Sequence, residues 1–141
     1  EKAQRALALG ADHVIDYTKE DVTQRVRELT GGQGADVVVD HVGAQFFPKA
    51  IEALAVGGRY GVCGVTTGYR AELHLGMLFT RHLTLFGVFM GTKEDMREML
   101  EMLGRGVIRP VIDRVFPLEE AAEAHRYMEA RQFFGKIVLR P

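Results

Sequence analysis

Gly34-Ala35-Asp36-Val37-Val38-Val39-Asp40-His41-Val42-Gly43 is the most informative stretch of the chain. Its three consecutive valines are β-branched, lie between aspartates and are bounded by glycines, which predicts a strand over 35–40. An apolar run without polar alternation reads as a strand covered on both faces, the pattern of parallel α/β sheets. Beyond Asp40 the chain passes into Asp40-His41-Val42-Gly43. In a doubly wound sheet, that position after a strand is where ligand-binding loops gather.

On the N-terminal side, Val22, Val26 and Leu29 recur at helical spacing, and Thr30-Gly31-Gly32 supplies a stop. Thr18 with Asp21 three positions later predicts a capping box for that helix. His13-Val14-Ile15-Asp16 reads as a short strand, preceded by a helix over 1–9 that ends at Gly10.

On the C-terminal side, Phe46, Phe47, Ala50, Ile51 and Leu54 mark a helix with Pro48 in its first turn, where a missing N–H costs nothing. Gly57-Gly58 turns into a strand over 59–63, a short helix follows over 74–79, and 83–89 is strand-like again. This alternation predicts an α/β fold, a partial Rossmann-like doubly wound parallel sheet with right-handed crossovers.

Thr92 and Asp95 repeat the capping pattern before a helix whose core face is predicted at Met96, Met99, Leu100 and Leu103. Residues 109–116 read as an extended crossing into a different region. Pro117-Leu118-Glu119 opens a last helix, with Ala121, Ala122, His125 and Met128 on its apolar side, and 135–139 forms a terminal strand. The organisation expected is a partial dinucleotide-binding domain over 1–109, followed by a return segment over 110–141.

Composition excludes several classes. The 141 residues carry 18 basic and 19 acidic side chains, a net charge of −1, which gives no field for a nucleic-acid backbone. No apolar run reaches the roughly eighteen residues a membrane span needs. The single cysteine, Cys63, excludes an intrachain disulfide and fits an expected cytoplasmic setting. The histidines at 13, 41, 74, 82 and 125 show no zinc-ligand spacing, so no metal site is expected within the chain.

Chemistry is therefore expected at the turns that follow strands. Asp40 either caps the next helix or orients His41, or else contacts the adenine end of a cofactor. Gly43 permits a tight turn or close ligand approach. Gly61-Val62-Cys63-Gly64-Val65-Thr66-Thr67 offers a second such edge, where backbone groups either hold a carboxamide or ribose or simply end the strand, and Gly87-Val88-Phe89-Met90-Gly91 offers a third, suited to backbone contact. Asp16, after the first short strand, is either near an adenine or ribose or a solvent-exposed carboxylate. Lys136, in its Gly135-Lys136 setting, is either a solvated strand lysine or a contact near cofactor or substrate. The chain has no complete Gly-x-Gly-x-x-Gly turn and no P-loop.

Taken in order, 8–17, 34–43, Ala53-Leu54-Ala55-Val56-Gly57-Gly58-Arg59, 111–118 and 135–139 resemble the C-terminal part of the medium-chain dehydrogenase/reductase superfamily, in its zinc-type alcohol dehydrogenase and quinone oxidoreductase branch. The resemblance implies a nicotinamide-dependent oxidoreductase using NAD or NADP on a small alcohol, carbonyl or quinone. The glycine loop, the catalytic residues and any zinc ligands would lie upstream, so no catalytic residue is assigned and the piece alone is expected to be inactive.

The resemblance also implies that Asp16 and Asp40, His41, Val42 and Gly43 lie near the adenosine side. It puts Gly64, Val65 and Thr66, with Val88, Phe89 and Met90, at the nicotinamide side, and Lys136 near the cleft. The strand over 83–89 is implied as a homodimer edge. A noncatalytic dinucleotide sensor and a structural interaction domain are the rival readings.

Overall fold

The computed structural model describes all residues 1–141. They form two compact units, essentially residues 3–90 and 91–141. In the first unit, α1 (Lys2–Ala8) and α2 (Val22–Leu29) precede β1 (Ala35–Asp40), α3 (Phe47–Ala53), β2 (Leu54–Val62), α4 (Leu75–Thr80) and β3 (Thr84–Gly87). The three strands make one parallel sheet in the order β1-β2-β3. This is the expected α/β architecture, a partial doubly wound sheet.

The register defines two faces. Val38, Tyr60 and Leu85 stand side by side on one, while Val39, Gly61 and Phe86 share the other. The first face carries the core: Ala50, Ile51, Leu54, Tyr60 and Leu83 are buried together, with Phe47, Met77 and Leu78 packed against them. The other face is open. Val37 is 47% exposed and Val39 74%. The expectation of a strand covered on both faces fails for this chain, because its core is built on the Val38 side alone.

Local chemistry explains most boundaries. Asp21 itself caps α2, its carboxylate accepting from Gln24 N at 2.9 Å. Thr18, expected to be that cap, instead donates to Asp16 Oδ1 through both its hydroxyl and its backbone N–H. Residues 13–15, expected as a short strand, belong to no strand of either sheet. Pro48 sits in the first turn of α3 as expected. The expected Gly57-Gly58 turn is a bulge within β2: Ala35 pairs with Leu54, yet Val37 pairs with Arg59.

The second unit holds α5 (Lys93–Gly104), β4 (Ile112–Pro117), a 3₁₀ turn over Leu118–Glu120, α6 (Ala121–Glu129) and β5 (Lys136–Arg140). Strands β4 and β5 are parallel neighbours. Phe116 and Ala124 are buried between them and α6, and Arg114 lies 4.4 Å over the Phe116 ring. Thr92 and Asp95 complete the predicted capping box.

Two helix faces differ from expectation. Met96, Met99 and Leu100 on α5 are exposed, because no element of the unit lies against them. On α6 the inward stripe is Ala121, Ala124 and Tyr127, whereas Ala122, His125 and Met128 face solvent. The Phe116 ring fixes that rotation by packing on Tyr127 at 6.0 Å between centroids.

Candidate functional site

The sheet brings the turns after its three strands to one edge. Cys63 N donates to Asp40 O at 2.8 Å, just past the last β1–β2 pair, and Val88 N donates to Val62 O at 2.8 Å just past β3. The first two turns are further tied by Thr67 N and Thr67 Oγ1 donating to Val42 O, and by Thr66 Oγ1 donating to His41 O at 2.9 Å. His41–Gly43 and Gly64–Thr67 thus form one braced structure.

Two glycines make the bracing close. Gly43 is buried at φ +87°, and a Cβ there would fall 2.7 Å from the Val65 α-carbon. A Cβ at Gly64 would fall 2.8 Å from His41 O. Only glycine permits these backbone approaches. The backbone N–H groups of Gly64, Val65 and Thr66 make no hydrogen bond within the chain, and Thr66 is exposed. They are donors free to meet a ligand.

Asp40 anchors the arrangement. It is 1% exposed, and Oδ1 accepts from Val42 N at 2.6 Å and Gly43 N at 3.3 Å. Oδ2 accepts from Tyr60 Oη at 2.6 Å and from Gly43 N at 3.3 Å. Burying a carboxylate is costly unless it is well bonded, and these partners meet that requirement. Burial pushes the Tyr60 phenol above its ordinary value of 10, and the bond to Asp40 and its negative charge act in the same direction.

A cavity of about 360 Å³ opens beside these turns. Gly43, Val65 and Gly87 line it at the sheet edge, Phe47, Tyr60 and Leu85 form its apolar wall, and Arg70 contributes its one charged side chain. That volume falls within the range of small-molecule sites. The sequence reading passed over Tyr60 and Arg70. Tyr60 stood within an ordinary strand pattern, and nothing local indicated a carboxylate beneath it.

The remaining candidates are placed as follows. Val88, Phe89 and Met90 follow β3 and are exposed, with Phe89 at 92%. Asp16 is bonded within its own turn, to Thr18, Lys19 and Glu20. The Thr18 hydroxyl, then Lys19 and the Thr18 backbone N–H, together lower the Asp16 carboxyl from 3.8 to about 2. Lys136 is exposed at the start of β5, in the second unit. The preceding Gly135 has a packing reason: at φ +106° a Cβ would run into the Val111 carbonyl. No three His, Cys, Asp or Glu side chains are grouped to hold a metal.

The family described as zinc-binding dehydrogenase matches residues 9–139. The chain is 34% identical to a 2-haloacrylate reductase of Burkholderia sp over all its length, spanning 45% of that protein. It is 35% identical to a quinone oxidoreductase of Pseudomonas aeruginosa, spanning all of this chain and 46% of that protein. Among solved structures, an NAD-dependent alcohol dehydrogenase superposes with a TM-score of 0.87 at 45% identity, over 99% of this chain and 40% of the other. A mycobacterial protein complexed with NADPH matches with a TM-score of 0.79 at 29% identity, over 99% of this chain and 47% of that one. The chain spans a little under half the length of these relatives.

Proposed function

Because the chain belongs to the zinc-binding dehydrogenase family, we propose that it is the later part of the cofactor-binding region of an NAD(P)-dependent oxidoreductase, followed from residue 110 by a segment of the catalytic domain. The intact protein would act on a small alcohol, carbonyl or quinone. The observation that carries this reading is the convergence of the turns after β1, β2 and β3 on one sheet edge, with free backbone donors at Gly64, Val65 and Thr66. The parallel-strand rule for ligand placement supports it independently.

These residues fit a dinucleotide. A nicotinamide ring supplies hydride-transfer chemistry when bound. The chain would bind and orient it: the amides of 64–66 suit carboxamide or ribose oxygens, and Val65 with the exposed residues 88–90 flanks the ring. Holding donor and acceptor in reacting geometry replaces a large entropic barrier. The same reading keeps Asp16 and residues 40–43 toward the adenosine side and Lys136 near the cofactor or substrate. Within this chain no three His, Cys, Asp or Glu side chains are grouped to hold a metal, so any zinc ligands of the intact protein would come from its other parts.

Titration of the full-length protein with NADH and NADPH, followed by assays with alcohols, aldehydes and quinones, tests the proposal. Saturable binding and turnover support it; binding of neither cofactor removes it. Turnover by residues 1–141 alone would contradict the assignment of catalysis to other parts of the protein. Unchanged affinity and turnover in a Lys136→Ala variant would take Lys136 out of the site. A cytosolic location belongs to the same proposal and rests on Cys63 being a free, exposed thiol.

A further inference from the structure

We propose that Tyr60 is a positioning residue for cofactor binding, acting through Asp40 on the turn that ends at Gly43; the proposal rests on the function given above. The phenol reaches no turn directly. It donates to Asp40 Oδ2 at 2.6 Å, and the same carboxylate accepts from the N–H groups of Val42 and Gly43. Tyr60 is itself fixed, 4% exposed and edge-on to Phe47 with ring centroids 5.3 Å apart.

The geometry makes one carboxylate the junction of both turns. Its side chain sets the conformation of 41–43, while the Asp40 carbonyl accepts from Cys63 N and so starts the second turn. Gly43 then presses against Val65 with no room for a side chain. A rotation of the Asp40 carboxylate would therefore shift Gly43, Val65 and the free donors beside it.

With phenylalanine at position 60, Oδ2 loses its shortest hydrogen bond in a place that water reaches poorly. The carboxylate then turns toward solvent, and the Val42 and Gly43 amides lose their acceptor. A purely structural role would appear instead as lower stability with unchanged binding by the folded protein.

The experiment compares Tyr60→Phe, Asp40→Asn, the double variant and Leu83→Ala in the full-length protein. Cofactor Kd is measured well below each melting temperature, with amide exchange at residues 42 and 43. Leu83 is buried in the same core but lines neither the cavity nor the turns. Tyr60→Phe should raise Kd for NADH or NADPH about tenfold, the size of one lost hydrogen bond to a charge. It should also speed exchange at 42 and 43 and leave kcat at saturating cofactor unchanged.

In the Asp40→Asn background the tyrosine change should add little, since the two act in series. Leu83→Ala should lower the melting temperature without moving Kd. A Kd for Tyr60→Phe within about twofold of wild type overturns the proposal, as does unchanged exchange at 42 and 43. If Asp40→Asn does not fold, the exchange result decides alone. Wild-type protein that binds neither cofactor removes the underlying function and this proposal together, an outcome distinct from failure of the variant.

Discussion

The Phe86 ring lies over Gly61 on the neighbouring strand, so close that a Cβ at position 61 would fall 2.9 Å from Phe86 Cζ. The two residues are register partners on the open face of the sheet. What Gly61 meets is the far end of a side chain that is itself 45% exposed, and such a ring swings aside cheaply. Gly61→Ala should therefore cost only about 1 kcal/mol and leave cofactor affinity unchanged. Denaturant unfolding and a cofactor titration of the full-length protein check this; a large loss of affinity would show that the ring's position governs the turns.

Gly64→Ala should behave differently. Its Cβ would meet the His41 backbone, which cannot swing away, and Gly43→Ala adds a left-handed φ to a similar backbone clash. Each should cost about 2–3 kcal/mol and weaken NADH or NADPH binding by about tenfold or more. Affinities equal to that of Gly61→Ala would remove these glycines from the cofactor site.

The Asp16 carboxyl should titrate at about 2, and Thr18→Ala should bring it back toward 3.8 by removing its first stabilising partner. NMR titration of the side-chain carboxyl reads this directly. Since the folded value is depressed, the carboxylate's contribution is complete above 3.8 and fades as pH falls toward about 2. An unmoved titration in the variant would assign the shift to Lys19 instead.

Tyr60 has the opposite sign. Its folded value is raised, so its contribution is complete below pH 10 and is lost as pH climbs above that. Alkaline unfolding of the full-length protein should therefore steepen above pH 10. Tyr60→Phe should remove that component; an identical alkaline profile would contradict the buried phenol.

Strand β3 ends the order β1-β2-β3, leaving one of its backbone edges unpaired, as the sequence led one to expect. We propose that a second copy of the protein pairs there. Light scattering should give a dimer for the full-length protein and a monomer for Val88→Lys, whose position is 51% exposed at the end of that edge. A strictly monomeric wild type contradicts the pairing.

The strands and most helices were legible because their signals are local. Val37-Val38-Val39, the Thr92–Asp95 box and Pro48 each act within a few residues. Where the reading failed, the cause was a partner absent from the chain or, at Thr18, a competing acceptor two residues away. Residues 13–15 found no strand to pair with, and Met96, Met99 and Leu100 had nothing to pack on. Thr18 lost its capping role to Asp21 because Asp16 captured its hydroxyl. At the site, Gly43 could be read as a tight-turn or close-approach position, whereas the Tyr60–Asp40 bond spans twenty residues and two strands.

Hydrogen exchange of the full-length protein with and without saturating NADH or NADPH measures the central claim most directly. The account predicts added protection in segments 40–45, 62–68 and 86–91 together, on one cofactor-dependent curve. Saturable binding that leaves all three segments unchanged, or protects only one, would contradict it.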